Sequence, residues 1–138
     1  MRVFTHTRRI GFGDCDPAGI VFYPRYFEMF NETVETWFRD ELGHGFLELH
    51  LKQAKAVPTV KAEVEFRASS RLEDLLSLTL VVEHIGGRSA RLRIDVSCGE
   101  QARVTALLTL VYIDAGKHKA EAWPDDLRAA MQNYLEAA

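Results

Sequence analysis

The stretch that most constrains this chain is Gly13–Phe38, an acidic loop with two glycines and a proline that leads into an amphipathic helix. From Pro24 onward, large apolar residues recur every three or four positions, which is the period of one helix face. These residues are Phe27, Phe30, Val34, Trp37 and Phe38. Pro24 suits the helix start because proline has no N–H to satisfy and its φ angle is already helical. Gly43-His44-Gly45 predicts that the helix ends near Leu42.

Downstream of this helix the hydrophobic period changes to two, which is typical of β-strands with one buried face. In the first such segment, charged residues alternate with Val60, Ala62, Val64 and Phe66. Two further alternating segments, 76–82 and 90–98, flank Gly86-Gly87, a pair that favours a hairpin turn. The segment 102–113 is apolar on both faces, which indicates that its outer face is also covered, most economically by a second subunit. A short helix beginning at Pro124 is predicted to close the chain.

The order of the elements indicates an α+β fold. One strand within residues 3–10 precedes the long helix, and we predict a meander of four strands after it. A helix this apolar is expected to lie against the concave face of the sheet. With 138 residues, the chain is predicted to form one domain spanning 1–138.

Composition and charge exclude several classes of function. A net charge of −3 argues against a nucleic-acid partner, and the apolar runs are too short to span a membrane. The N-terminal residues lack the apolar region of a signal peptide. Cys15 and Cys98 are too few for a disulfide framework, so we expect a cytoplasmic protein with free thiols. The five histidines lack metal-ligand spacing, and we expect no metal site.

Asp14 and Asp16 are the carboxylates placed just before the predicted helix. Such a carboxylate can cap the helix by accepting hydrogen bonds from its first N–H groups. Alternatively, it can act as a base or nucleophile beside an oxyanion site that those N–H groups form. The spacer between Asp16 and the helix is apolar and longer than a cap needs, which suits a pocket wall. Residue chemistry alone leaves both interpretations open.

Residues 13–26, read Gly-Asp-Cys-Asp-Pro-Ala-Gly-Ile-Val-Phe-Tyr-Pro-Arg-Tyr, resemble the active-site segment of the 4-hydroxybenzoyl-CoA thioesterase family. That family has the hot-dog fold, in which an antiparallel sheet, here expected to have about five strands, wraps a long central helix. The resemblance implies hydrolysis of an acyl-CoA thioester with an aromatic acyl group. It also implies a site shared between two subunits, no metal or separate cofactor, and a homodimer that assembles to a homotetramer.

The resemblance assigns roles to individual residues of the loop. Asp16 matches the catalytic carboxylate, and Tyr23 matches the position whose backbone N–H polarises the thioester carbonyl. Asp16 would attack the carbonyl to give a mixed anhydride, or activate a water, and both routes stay open. Phe22 and Pro24, on either side of Tyr23, are expected to contact the substrate.

Coenzyme A needs cationic partners for its phosphates. Arg88 and Ser89 follow the predicted hairpin turn, where the family contacts the nucleotide, and Arg91 is close by on the next strand. The chain departs from the family's best-known member, which has basic residues in place of Gly86-Gly87. Fewer or shifted phosphate contacts are therefore expected, and any one of these arginines could instead belong to a solvated strand face.

Three other functions are alternatives to an aromatic acyl-CoA thioesterase. A hot-dog hydratase needs a histidine paired with an acid near the loop and helix, and residues 11–41 contain no histidine. A non-catalytic acyl-CoA-binding protein gains nothing from a carboxylate near the thioester, so Asp16 disfavours it. A thioesterase for short or medium aliphatic chains stays open. Glu28, Glu32 and Glu35 are predicted to form the polar face of the helix, although one of them could reach the acyl pocket.

Overall fold

The computed structural model describes residues 1–137. Two helices are present in that range, α1 (Arg25–Asp40) and α2 (Asp125–Gln132). The strands are β1 (Phe4–Arg9), β2 (Lys55–Ala56), β3 (Thr59–Phe66), β4 (Leu75–Ile85), β5 (Ser89–Cys98), β6 (Gln101–Val111), β7 (Ile113–Asp114) and β8 (Lys119–Ala120). A 3₁₀ turn at Phe12–Asp14 and a π-helical turn at Leu47–Lys52 lie in the connections.

Five strands form one antiparallel sheet in the order β1-β4-β5-β6-β3. This confirms the predicted α+β fold of a helix against a five-stranded sheet. The predicted four-strand meander is wrong for β3, since only β4, β5 and β6 follow one another in space. The chain leaves β3 at Phe66 and crosses to the far side of β5 and β6 before β4 begins. Alternation along a strand carries no information about its neighbours, so the sequence pattern could not predict this crossing.

The helix α1 supplies the centre of the core. Its buried residues are Tyr26, Met29, Phe30, Thr33, Val34, Trp37 and Phe38. Trp37 is fully buried and makes edge-to-face contacts with the rings of Phe38 and Tyr134. Each large apolar side chain buried in this way stabilises the fold by about 1.5–3 kcal/mol. The helix ends as predicted, because Gly43 adopts a left-handed conformation with φ of +72°.

The strand β3 is poorly covered in the single chain. Its inward side chains share a face with buried residues of β6, as the alternation predicts, yet Val60 and Phe66 are 60% and 46% exposed. The prediction of a half-buried strand is therefore wrong for this chain alone. The helix α1 packs over β1 and β4 and leaves the β3 side of the sheet open. Alternation shows which face a side chain is on, but not what covers that face.

Two further predictions concern the whole chain. Cys15 and Cys98 are both free thiols, in agreement with the expectation from the cysteine count. No helix within residues 1–137 has both the length and the apolar character needed to cross a membrane.

Candidate active site

The loop before α1 is a tight hairpin with Asp16 at its tip. The Asp16 N–H donates to the Ile20 carbonyl at 2.9 Å, and the Phe22 N–H donates to the Asp14 carbonyl at 2.9 Å. A second bond inside the tip runs from the Gly19 N–H to the Asp16 carbonyl. Gly19 has φ of +80°, the left-handed conformation required at the end of a three-residue hairpin loop. The hairpin therefore places Asp16 and the residues just before the helix on neighbouring arms.

Neither motif carboxylate caps α1. Asp16 Oδ1 accepts the Ala18 N–H at 2.8 Å and stabilises the hairpin turn. Asp16 Oδ2 has no hydrogen-bond partner in residues 1–137, and the side chain is only partly buried. Asp14 instead accepts the Gly11 N–H at 2.9 Å and binds Arg8 at 3.0 Å. The helix-capping interpretation is thus wrong for both residues, and Asp16 keeps one carboxylate oxygen free.

Within residues 1–137, the start of α1 presents one free backbone donor. The neighbouring N–H groups donate to backbone carbonyls at 2.8 to 3.1 Å, namely those of Val21, Phe22, Arg25, Tyr26 and Phe27. Pro24 has no N–H, and the Tyr23 N–H has no acceptor within the described residues. Helix starts carry partial positive charge because their first N–H groups point outward. The Tyr23 N–H is therefore suited to polarise a bound carbonyl oxygen.

Three aromatic rings line a cavity of about 280 Å³ next to this helix start. Tyr23 and Phe66 meet edge to face with centroids 6.0 Å apart, and Tyr26 lies 5.8 Å from Phe66. Phe22 is outside this lining and packs its ring edge-on against Tyr23 at 5.8 Å. Burial raises the pKa of the Tyr26 hydroxyl above its usual value, so this phenol stays a neutral donor at physiological pH.

Asp16 lines a different cavity, of about 460 Å³. Its walls include Phe12, Cys15, Pro17, Gly19 and Leu72. Although one hairpin joins Asp16 to Tyr23, the single chain places the carboxylate and the aromatic rings in separate cavities.

The predicted phosphate-binding residues lie in three different settings. Arg88 is exposed and makes no side-chain hydrogen bond or ion pair in the part of the chain that is described. Ser89 is half-buried, and its carbonyl accepts the indole N–H of Trp123 at 2.9 Å. Arg91 is paired with Glu83 at 3.1 Å. Of the three, only the Arg88 side chain is an unpaired cation.

Within a single chain, Arg88 lies far from Asp16. Ser89 pairs with Val111 at one end of the sheet. The hairpin is attached at the other end, where the Val21 N–H donates to the Ser70 carbonyl shortly before β4 begins. The loop carboxylate and the arginine are therefore not brought together within one copy of the chain.

A buried polar network under the helix start was missed at the sequence level. The Tyr26 hydroxyl donates to Ser70 Oγ at 2.9 Å. Arg103 donates to the same Oγ at 3.0 Å and to Asp74 at 2.9 Å. Hydrogen bonds from Arg103 and from the Arg71 N–H hold the pKa of Asp74 below its usual value. The sequence feature that points to this network is a single arginine, Arg103, among the mostly apolar residues of β6.

The helix glutamates lie elsewhere. Glu32 binds His6 at 2.6 Å and contacts Arg8 at 3.5 Å, so it faces β1. Glu28 pairs with Arg25 at 2.8 Å. None of Glu28, Glu32 and Glu35 lines the aromatic cavity. Within residues 1–137, no cluster of His, Cys, Asp and Glu side chains has a geometry that could hold a metal ion.

Comparisons with known proteins agree with this architecture. The model of the thioesterase-like superfamily matches residues 10–131. A 1,4-dihydroxy-2-naphthoyl-CoA hydrolase from Synechocystis is 27% identical over 107 residues, which cover 77% of this chain and 76% of that protein. The acyl-CoA thioesterase YbgC of Haemophilus influenzae is 23% identical over 130 residues, covering 94% and 95%. A crystal structure of a thioesterase-superfamily protein from Jannaschia superposes with a TM-score of 0.90, at 25% identity, over 98% and 94%.

Proposed function

This chain belongs to the thioesterase-like superfamily, and from that premise we propose that it hydrolyses an aromatic acyl-CoA thioester, similar to 4-hydroxybenzoyl-CoA. The products are the free acid and CoA. Relatives named as a CoA hydrolase and an acyl-CoA thioesterase support the thioester chemistry. The observation that carries the site is the unpaired Tyr23 N–H at the start of α1, on the same hairpin as a carboxylate with a free oxygen.

In the proposed mechanism, the thioester carbonyl oxygen accepts a hydrogen bond from the Tyr23 N–H. Negative charge that develops on this oxygen is stabilised by the donor and by the helix dipole. In the nucleophilic route, Asp16 bonds to the carbonyl carbon, the C–S bond breaks and CoA leaves as a thiolate. Water then cleaves the mixed anhydride. In the general-base route, Asp16 removes a proton from the attacking water, and the thiolate again leaves.

The aromatic cavity favours an aromatic acyl group. Tyr23, Tyr26 and Phe66 present ring faces and edges around the space next to the free N–H. Each well-placed ring pair contributes about 0.5–1.5 kcal/mol beyond the burial of its surface. An aliphatic chain gains burial in this cavity but none of the edge-to-face contacts.

The proposed active unit is a homodimer that pairs through β3, with further assembly to a homotetramer. The strand β3 is an unpaired sheet edge, and its inward face is uncovered in the single chain. Antiparallel pairing of two β3 strands would bring the β4–β5 turn of one copy towards the hairpin of the other. Such a dimer would bring an arginine such as Arg88 within reach of a substrate held at Asp16, whereas within one chain the two residues lie at opposite ends of the sheet.

The proposal is tested by thiol release from a panel of acyl-CoAs. Benzoyl-, hydroxybenzoyl- and phenylacetyl-CoA are compared with short and long aliphatic acyl-CoAs, using a chromogenic thiol reagent. We expect kcat/KM for the best aromatic substrate to exceed that for aliphatic chains by roughly tenfold, corresponding to one or two ring contacts. A preference for aliphatic chains would keep the chemistry and refute the aromatic specificity. Tight acyl-CoA binding without thiol release would show a binding protein instead.

Replacing Arg88 with alanine is expected to raise KM roughly tenfold, the value of one charge-assisted contact, and to leave kcat unchanged. A phosphate contact far from the thioester stabilises ground state and transition state equally. Arg91→Ala is the matched comparison, and we expect a smaller effect because Arg91 already pairs with Glu83. Steady-state kinetics with one substrate measure both variants. Equal KM values for Arg88→Ala and the wild type would remove Arg88 from the binding site.

Replacing Ala62 with glutamate is expected to break the dimer. Ala62 faces the same side as buried Leu108 but is exposed in the single chain. A carboxylate buried there by a partner would cost several kcal/mol, so the dimer Kd should rise at least about a hundredfold. Lys61→Glu, which adds a carboxylate on the opposite face of the same strand, is the control. Analytical ultracentrifugation compares the variants, and an unchanged dimer in Ala62→Glu would exclude this interface.

A further inference from the structure

Arg103 occupies an irregular position in β6. The register between β5 and β6 passes from Val96–Val104 to Ser97–Ala102, so Arg103 has no partner on β5. Such a bulge changes the direction in which a side chain points. Arg103 and Val104 are accordingly both buried, although regular alternation would expose one of them. The bulge turns an arginine of the sheet towards the connection between β3 and β4.

Burial of the Arg103 guanidinium is energetically unfavourable. Arg103 is 9% exposed, and its Nε has no hydrogen-bond partner in the described part of the chain. Burying a charge with an unsatisfied donor costs free energy that an apolar residue would avoid. Stability alone therefore does not account for an arginine at this position. The contacts that the guanidinium makes explain why an arginine stands at this position.

Arg103 holds the segment Ser69–Asp74, which we call the support segment. One guanidinium nitrogen lies 2.9 Å from the Ser69 carbonyl, 3.0 Å from Ser70 Oγ and 2.9 Å from Asp74 Oδ2. The contacts therefore span the segment from its first residue to its last. Asp74 also accepts the Arg71 N–H at 2.9 Å, which closes the turn inside the segment.

The support segment in turn holds both sides of the helix start. The Ser70 carbonyl accepts the Val21 N–H at 2.9 Å, and Ile20 forms a β-bridge with Arg71. Ser70 Oγ accepts the Tyr26 hydroxyl at 2.9 Å. Val21 precedes and Tyr26 follows the Tyr23 N–H, so the segment fixes that donor from two directions. Arg103 reaches the helix start through one intermediate residue, Ser70.

We propose that Arg103 is a positioning residue that fixes the Tyr23 N–H relative to Asp16 by locking the support segment under the hairpin. This inference rests on the proposed function for its effect on turnover. A displacement of about 1 Å in a reacting group can cost roughly a hundredfold in rate. Loss of the contacts between Arg103 and the support segment should therefore lower kcat. Contacts with the distant CoA moiety, and hence KM, should stay nearly unchanged.

The test uses two variants that break the lock at different points. Arg103→Met removes the guanidinium but keeps an apolar chain of similar length, and Ser70→Ala removes the shared hydroxyl. We expect each to lower kcat by roughly ten- to a hundredfold, with KM within about threefold of the wild type. Because both variants remove the contact between Arg103 and Ser70 Oγ, the double variant should lose less than the product of the two single losses. Arg103→Lys, which keeps one charged donor, should recover part of the lost kcat.

A matched control separates positioning from general stability. Arg93 binds three carboxylates, those of Glu83, Asp95 and Glu136, on the outer face of the sheet and does not contact the hairpin. Arg93→Met also removes an arginine held by several polar contacts, but away from the hairpin, and its kcat should stay close to the wild-type value. Hydrogen exchange adds a readout that does not depend on turnover. Amides of residues 20–26 should exchange faster in Arg103→Met and Ser70→Ala, but not in Arg93→Met.

The outcomes distinguish the inference from the proposed function. Folded Arg103→Met and Ser70→Ala variants with wild-type kcat and unchanged exchange at residues 20–26 would overturn the inference and leave the thioesterase intact. Equal losses of kcat in Arg103→Met and Arg93→Met would also overturn it. Wild-type protein that releases no thiol would refute the proposed function, and the exchange measurement would still decide whether Arg103 locks the hairpin.

Discussion

Replacing Asp16 with asparagine is expected to lower kcat for thiol release about a thousandfold, within the range for loss of a catalytic acid–base group. An amide can neither attack the thioester carbon nor accept a proton from water. Its carbonyl oxygen can still accept the Ala18 N–H, as Asp16 Oδ1 does at 2.8 Å. The hairpin should therefore persist, and the loss should appear in kcat rather than in stability. Steady-state kinetics and a thermal melt measure the two effects separately.

The neighbouring carboxylate provides the control for this variant. Asp14→Asn removes a charge in the same loop, but Asp14 is bound to Arg8 and the Gly11 N–H and is not proposed to touch substrate. Its kcat should stay within about threefold of the wild type, since a partly exposed ion pair contributes little. Turnover unaffected by Asp16→Asn would refute both catalytic routes.

Unlabelled product acid from a single turnover in H₂¹⁸O would identify the nucleophilic route for Asp16. In the general-base route, the oxygen of water enters the product acid directly. In the nucleophilic route, the product takes an unlabelled oxygen from Asp16 when water attacks the aspartyl carbonyl of the anhydride, and the label stays on the enzyme. Mass spectrometry of the acid and of the peptide that contains Asp16 reads the result.

Replacing Tyr23 with proline is expected to lower kcat at least about a hundredfold, the usual effect of removing one oxyanion donor. The substitution deletes the only unpaired N–H within residues 21–27. The backbone should accept it, because the Arg25 N–H closes a turn on the Phe22 carbonyl at 2.8 Å with Tyr23 second in that turn. Proline is favoured at that position.

Two side-chain variants isolate the contribution of the N–H. Tyr23→Ala keeps the backbone donor but removes the ring that contacts Phe22 and Phe66, so its loss should fall mainly on aromatic binding. Tyr23→Phe keeps both ring and donor and should behave like the wild type. If Tyr23→Ala loses as much kcat as Tyr23→Pro, then the ring rather than the N–H accounts for the effect. Kinetics with one aromatic and one aliphatic acyl-CoA make the comparison.

Local features of the fold were predictable because short-range physics decides them. The three-to-four spacing from Phe27 to Phe38 predicts α1, and the structure departs from it only at Phe27, which is 38% exposed. Gly43 marks the end of that helix. The alternation of β3 predicted its inward face correctly, but not its burial. That strand lies at the open edge of the sheet, and no pattern along one strand reveals its neighbours.

The loop of the candidate site could be predicted from the sequence, but the polar network that holds this loop could not. Asp16 and Tyr23 are joined by a hairpin only nine residues long from Asp14 to Phe22, so their connection through one loop follows from local sequence. The contact between Arg103 and Ser70 joins residues 33 positions apart. It depends on the bulge between β5 and β6 that turns Arg103 out of the regular alternation.

Three features follow from local sequence alone, namely the long buried helix, the turn at Asp16 and the residue types available at the helix start. These depend on hydrophobic period, on glycine and proline geometry, and on hydrogen bonds between residues close in the chain. Contacts between distant parts of the fold explain why Arg91 is paired with Glu83, why Arg88 lies at the opposite end of the sheet from the hairpin, and why the Tyr23 N–H has no acceptor within residues 1–137. Each of these depends on which distant groups the folded chain brings into contact, and that information is spread over the whole sequence.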